Sequence, residues 1–322
     1  MSTPVLSVRD LRVAFGSRRG TSPVVTGLDL DVAAGETLAV VGESGSGKSV
    51  SMLAVVGLLP ASATVTGSVR LRGEEVLGAG PERLRQLRGR EVGMVFQDPM
   101  TSLNPVLTIG RQLTEGLEAR LGLDRRAARA RAAELLALVG LRDPQTRLDD
   151  YPHQFSGGMR QRVMIAIALS LDPAVLVADE PTTALDVTTQ AQILDLVQDL
   201  QVRLGTAVVW VSHDLGVVAG IADRVVVMYS GEVVEQAPVD DLYAAPRHPY
   251  TRGLLGALPV LGRRRSELAT IAGLPPDPLS RPDGCWFAPR CPVRDEACVT
   301  EHPDLREVAP AHLVRTRCGA TP

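Results

Sequence analysis

The stretch TLAVVGESGSGKSVSMLAVVGLLP, Thr37 to Pro60, decides how the rest of this chain is read. Thr37-Leu-Ala-Val-Val41 is a short, unbroken apolar run, the pattern of a buried parallel strand. It breaks into Gly42-Glu-Ser-Gly-Ser-Gly-Lys-Ser49, which matches G-x-x-x-x-G-K-[ST]. An apolar helix, Val50 to Leu59, follows and is stopped by Pro60. That context turns a glycine-rich turn into a phosphate cradle. Successive N–H groups of Gly42, Ser44, Gly45, Ser46, Gly47 and Lys48, running into Ser49 and Val50 at the helix start, form an anion nest. Lys48 is expected to reach the β- and γ-phosphates of a nucleotide, and the Ser49 hydroxyl to ligate Mg²⁺.

The composition points at the same residue. Of 34 Lys and Arg side chains, only Lys48 is a lysine. Arg is a wide planar fork and Lys a compact point charge on a slim stem, so this one position calls for the slim group. The chain of 322 residues, with 45% hydrophobic and 22% charged residues, is long enough for about two folded domains. A net charge of -3 argues against a protein that grips duplex nucleic acid through a basic surface. No apolar run approaches the ~20 residues needed to span a bilayer. Arg9 and Asp10 interrupt the N-terminus before a secretory h-region could form, so a cytosolic protein is expected.

Working outward, Leu6–Phe15 and Val24–Val32 read as strands, as does Val92–Phe96. From about 105 to 152 the texture turns helical, with Ala128, Ala132, Leu135, Leu136 and Val139 at helical spacing before Gly140. Strands at Val175–Ala178, Thr206–Val211 and Arg224–Tyr229 then alternate with helices, including Val187–Leu204. Alternating strands and helices give an α/β fold around a parallel sheet, with a helical insertion. After about residue 236 the periodicity fades into Pro-rich sequence, read as a mostly irregular extension. The expected domains are 1–235, with a helical subdomain at about 98–158, and 236–322.

Val175-Leu-Val-Ala178 runs directly into Asp179 and Glu180. A central parallel strand ending in acids delivers carboxylates to the sheet edge where the phosphate loop also sits. Asp179 is expected to hold Mg²⁺, and Glu180 to act as general base on the attacking water. His213, just past the run Ala207–Val211, is expected to contact the γ-phosphate and hold the water geometry; a turn-capping histidine is the structural alternative.

Phe155-Ser-Gly-Gly-Met-Arg-Gln-Arg162 opens a helix and resembles the signature motif of ABC-family ATPases, with Met159 where most members carry Gln. Gln97 resembles the family's Q-loop glutamine, Thr183-Ala-Leu-Asp186 its D-loop, and Phe15 its adenine-stacking aromatic. The resemblance covers residues about 5–235 with every motif in family order. It implies an ABC-type P-loop nucleotide-binding domain that binds ATP, with Mg²⁺ held by Ser49, Gln97 and Asp179. It further implies that Ser156, Gly157, Gly158 and Asp186 act in trans, on the nucleotide of a second cassette. GESGSGKSV, FQDPMTSLNP, YPHQFSGGMRQR, ADEPTTALDVTTQAQIL and HPYTRGLL are similar to the D-type ATPase subunit of oligopeptide and dipeptide importers. That branch implies a heterodimer with a second ABC ATPase, two transmembrane permeases, an external solute-binding protein, and a place on the cytoplasmic face of the membrane, with no nucleic-acid partner. Importers of nickel or sugars are close relatives, and a non-transport ATPase or a nucleotide-sensing module are the alternatives from other classes.

Cys285, Cys291, Cys298 and Cys318 lie in the extension without a C-x₂-C pair, which disfavours the usual zinc ribbon. Four thiols in a Pro-rich segment suggest a metal that staples it together. The resemblance implies a 4Fe-4S cluster on these four cysteines; zinc in the same cage, or four unligated thiols, are the other readings.

Overall fold

The computed structural model describes residues 3–17, 20–183, 185–258 and 270–317. Among these residues, twelve strands form two sheets. The smaller sheet is antiparallel, ordered β2 (Gly20–Val32), β1 (Leu6–Ser17), β4 (Ala63–Leu71), β5 (Glu74–Glu75). The larger runs β11 (Arg306–Ala309), β12 (His312–Val314), β10 (Glu232–Pro238), β9 (Arg224–Tyr229), β3 (Thr37–Val41), β8 (Ala207–Ser212), β7 (Val175–Asp179), β6 (Val92–Val95). Strands β9, β3, β8, β7 and β6 are parallel neighbours. This is the α/β core expected from the alternation of strands and helices.

The parallel strands are apolar at nearly every position because both faces are covered. Successive side chains point to opposite faces, and the two cores follow that alternation. Leu38, Val40, Val175, Val177, Val209 and Val211 face the antiparallel sheet and Met52 of the helix Lys48–Val55. Ala39, Val41, Leu176, Ala178, Val208 and Trp210 face the opposite layer, which includes the helices Gly157–Leu169 and Val187–Leu204. Each such buried Val or Leu side chain contributes about 1.5–3 kcal/mol of transfer free energy, which fixes the strand register against slippage. The helices Ile109–Leu121 and Arg125–Leu138 pack together as the helical insertion. Their first turns are capped by Thr108 and Asp124, whose side chains accept from Arg111 N–H and Ala127 N–H.

Two differences from the sequence reading matter for function. Strand β10 crosses position 236, and the extension adds β12 and β11 beyond it, pairing Glu235 with Val314 and Gln236 with Leu313. The helices Val239–Ala244 and Pro249–Gly256 also give the start of the extension regular structure. Strand β4 and the helix Pro81–Arg90 lie where the sequence reading has none. No helix among the described residues is long and apolar enough to cross a membrane.

Candidate nucleotide site

Strand β3 ends at Val41 and the chain turns at once. Gly42 adopts φ 151°, and a Cβ there would sit 2.2 Å from the Met228 carbonyl oxygen, so the turn requires glycine. Gly47, at φ 97°, precedes the helix Lys48–Val55. No side chain caps this helix, so its first N–H groups are left for an anion. Lys48 is almost wholly buried, and its Nζ donates to the carbonyls of Gly42 (2.7 Å) and Glu43 (2.9 Å). Burial lowers the lysine pKa; Glu180, Asp179 and Glu43 pull it back up.

A cavity of about 670 Å³ opens over this loop, bordered by Gly42, Ser44, Gly45, Gly47, Ser49 and Val50. Across it stand Gln97, Glu180, Thr183 and His213. The Glu180 carboxylate is the meeting point. Its Oε2 accepts from Gln97 Nε2 (3.1 Å) and Thr183 Oγ1 (3.0 Å), and lies 3.1 Å from His213 Nδ1. Glu180 holds φ at 45°, a left-handed backbone conformation that costs a non-glycine residue of order 1–3 kcal/mol. Its N–H is tied to the Val211 carbonyl at 3.0 Å, so the parallel sheet enforces the turn that aims this side chain.

Ser49 Oγ donates to Asp179 Oδ1 at 2.8 Å. Burial raises the Asp179 pKa, the Ser49 hydroxyl opposes that, and Glu180 adds to it. Two hard oxygens side by side, one a buried carboxylate with a single hydrogen-bond donor, suit Mg²⁺. Ser46 is buried with its hydroxyl unpaired inside the loop.

Other sequence-derived residues lie apart. Phe15 is half-buried on β1, against the antiparallel sheet's core, and does not border the cavity; Val24 and Leu254 do. Ser156 caps the helix Gly157–Leu169 by accepting from Met159 N–H at 3.3 Å, with Ser156 and Gly157 exposed. Asp186 caps the helix Val187–Leu204. Gly157 and Gly158 abut Leu185 and Thr189, so the two caps are neighbours, but neither borders the loop cavity.

The cysteine reading is not met by the described residues. Cys285 and Cys291 are free thiols, whereas Cys298 is disulfide-bonded, and Cys318 lies outside the described residues. Among the described residues no three His, Cys, Asp or Glu side chains converge as a metal ion needs. Burial pushes the thiol pKa of both Cys285 and Cys291 up. The three described cysteines therefore do not fit a four-thiolate cage, and no step of the chemistry is routed through one.

Sequence reasoning passed over three residues at the site. Tyr250, Leu254 and Arg290 all come from the extension. Tyr250 Oη accepts from Glu43 N–H at 2.8 Å, and Arg290 pairs with the Glu43 carboxylate. No local periodicity marks contacts across 207 and 247 residues.

A parallel sheet that carries a phosphate loop, a paired carboxylate edge and a helical insertion with a capped glycine pair defines a nucleotide-binding ATPase of the ABC class. Residues 25–183 match the ABC transporter family, and residues 234–298 match the oligopeptide/dipeptide transporter C-terminal region. The chain is 50% identical, over 95% of its length and 93% of the relative, to the oligopeptide transport ATP-binding protein AppD of Bacillus subtilis. It is 48% identical to the dipeptide transport ATP-binding protein DppD of the same organism, over 96% of this chain and 93% of that one. Among solved structures, the dimeric post-hydrolysis ATP-binding cassette MJ0796 bound to ADP and Pi superposes with a TM-score of 0.66 at 28% identity, covering 73% of this chain and 98% of that one. The protein belongs to the ABC transporter family, within its oligopeptide/dipeptide transport ATP-binding branch.

Proposed function

We propose that this chain hydrolyses ATP to energise an importer of oligopeptides or dipeptides. The observation that carries the reading is the Glu180 carboxylate, held by Gln97 and Thr183 at the mouth of the loop cavity with His213 beside it. The nest at Gly42–Ser49 takes the phosphates, and Lys48 moves from the Gly42 and Glu43 carbonyls to the β/γ oxygens. Ser49, Asp179 and Gln97 would hold Mg²⁺, which when bound would supply charge neutralisation for the phosphates. Glu180 accepts a proton from the attacking water as its oxygen bonds to the γ-phosphorus. The bond to the bridging oxygen breaks, and ADP departs with that electron pair. His213 holds the γ-phosphate in line.

The exposed Ser156–Gly158 cap and Asp186 complete a second cassette's site, so turnover needs two cassettes face to face. The resemblance to importer ATPase subunits implies the partner set: a second ATPase, two permeases and an external solute-binding protein, with this chain peripheral on the cytoplasmic face. A 4Fe-4S cluster in the extension is what the family resemblance implies; iron and sulfide content of anaerobically purified protein tests it. Affinity purification from detergent-solubilised membranes tests the importer reading. Two multi-span permeases and a second ATPase are the expected companions. Recovery only from the soluble fraction, bound to ribosomes or nucleic acid, would refute transport and leave the ATPase.

A further inference from the structure

Glu43, the second residue of the phosphate loop, is gripped by the extension. Arg290 donates through both terminal nitrogens to the two carboxylate oxygens, at 2.7 and 2.9 Å. The Arg290 side chain is only 4% exposed, and its Nε donates to the Ala272 carbonyl at 3.0 Å. The Glu43 N–H donates to Tyr250 Oη, and the Glu43 carbonyl accepts from Lys48 Nζ and, at 3.2 Å, from Ser46 N–H. Tyr250 is itself fully buried against the rings of Tyr229 and Phe287.

We infer that Arg290 is a positioning residue for ATP, which neutralises Glu43 and holds it clear of the phosphates, so that nucleotide affinity depends on the extension. The inference rests on the reading that Gly42–Ser49 takes the phosphates of ATP. Glu43 borders the cavity, and its side chain is 28% exposed. A free carboxylate there would repel a polyanion at close range in a partly desolvated cleft. A bidentate guanidinium both cancels that charge and fixes the direction of the carboxylate, which a point-charge lysine does less well. The same guanidinium is anchored to the loop at Ile271–Ala272, two segments of one extension meeting on one loop residue.

The test is ATP–Mg²⁺ affinity of the full-length chain by titration calorimetry, with thermal midpoints as a check on folding. Arg290→Ala should weaken ATP about tenfold, the scale of losing one charge-assisted pair. Adding Glu43→Gln to Arg290→Ala should restore most of that loss, because the offending charge is gone. A merely structural role predicts no such rescue. Wild-type affinity in Arg290→Ala, or a double variant no better than Arg290→Ala, overturns the inference. Should Arg290→Ala not fold, Arg290→Lys and Arg290→Gln replace it. Near-normal affinity in the lysine variant and a loss of about tenfold in the glutamine variant support the inference, and equal affinities overturn it. Lys48→Ala is the control for the site itself. If the wild-type chain binds no ATP, the phosphate-loop reading fails and this inference with it; if wild type binds and Lys48→Ala does not, only Arg290 is on trial.

Discussion

The helices Lys48–Val55 and Gly157–Leu169 both begin at glycine-rich turns, and they are built in opposite ways. The helix Lys48–Val55 has no side-chain cap, and its first residue Lys48, with Gly42, Ser46 and Gly47 before it, is buried within the fold. The helix Gly157–Leu169 is capped by Ser156, and Ser156 and Gly157 lie exposed. At the first start the chain itself supplies the lysine, the Ser49–Asp179 pair and the Glu180 carboxylate. At the second it supplies only the helix end and the neighbouring Asp186 cap. The difference teaches where this chain gathers chemistry of its own. One start is a cradle with its chemistry attached, and the other is an exposed, side-chain-capped helix end with none of those groups beside it.

The comparison can be broken at its strongest point first. Glu180→Gln should lower ATP turnover in the assembled complex by about 10²–10⁴-fold while ATP binding persists, the usual loss when a general base is removed. A phosphate-release assay beside a binding titration reads this, and near-normal turnover would remove Glu180 from the mechanism. Gly157→Ala addresses the other start. A Cβ there meets only Leu185, at an ordinary 3.7 Å, so the fold tolerates it. Turnover of the complex should fall by about tenfold or more, the size expected for disturbing one site of charge stabilisation, with ATP affinity of the isolated chain unchanged. Weakened binding in the isolated chain would place that glycine in this chain's own site instead.

The remaining predictions sharpen how the extension differs from the core. His248 is buried, and burial pushes its pKa down to about 3 from 6.5. The unfolded chain therefore binds a proton that the folded chain refuses, and stability falls as pH drops below about 6.5. Between pH 7 and pH 5 the loss should approach about 2 kcal/mol, from 1.36 kcal/mol per unit. Denaturant melts across that range should show the slope, and His248→Asn should flatten it. The smallest effect belongs to Tyr250→Phe, which removes the acceptor for Glu43 N–H at 2.8 Å. One buried hydrogen bond of this kind is worth about 1 kcal/mol. A melting temperature equal to wild type would show that the loop finds another acceptor.

The same contrast explains what was legible beforehand. The phosphate loop, the Asp179–Glu180 edge and His213 could be read because each sits at the end of a short apolar strand, and a parallel sheet brings all strand ends to one edge. The helical insertion announced itself through Ala128, Ala132, Leu135 and Leu136 on one face. Strand β4 carries the β-branched run Thr64-Val65-Thr66 and then Val69, and could have been read from that enrichment. The helix Pro81–Arg90 buries only Leu87, so it has almost no apolar period to detect. In the extension, order comes from pairings between distant residues. Glu235 is wholly buried and accepts from Arg247 N–H, His248 N–H and His312 Nε2. Such a knot leaves no periodic trace, and the Pro-rich texture around it reads as irregular. The cysteines were the opposite case, conspicuous in sequence, yet with Cys298 in a disulfide the described ones do not gather as a metal cage.

Strand β10 has a further meaning through its neighbour β12. Glu235 and Gln236 would otherwise carry open backbone donors and acceptors at the margin of the eight-stranded sheet. Unpaired margins of this kind recruit other chains into continuous sheets and seed aggregates. The segment His312–Val314 closes the margin from within, and β11 ends the sheet with exposed Arg306 and Glu307. The tail thus covers backbone groups of the core sheet that would otherwise be open to pairing with another chain. A chain truncated after β10 would expose that margin and would also lose Tyr250 and Arg290, the two residues that hold Glu43 of the phosphate loop.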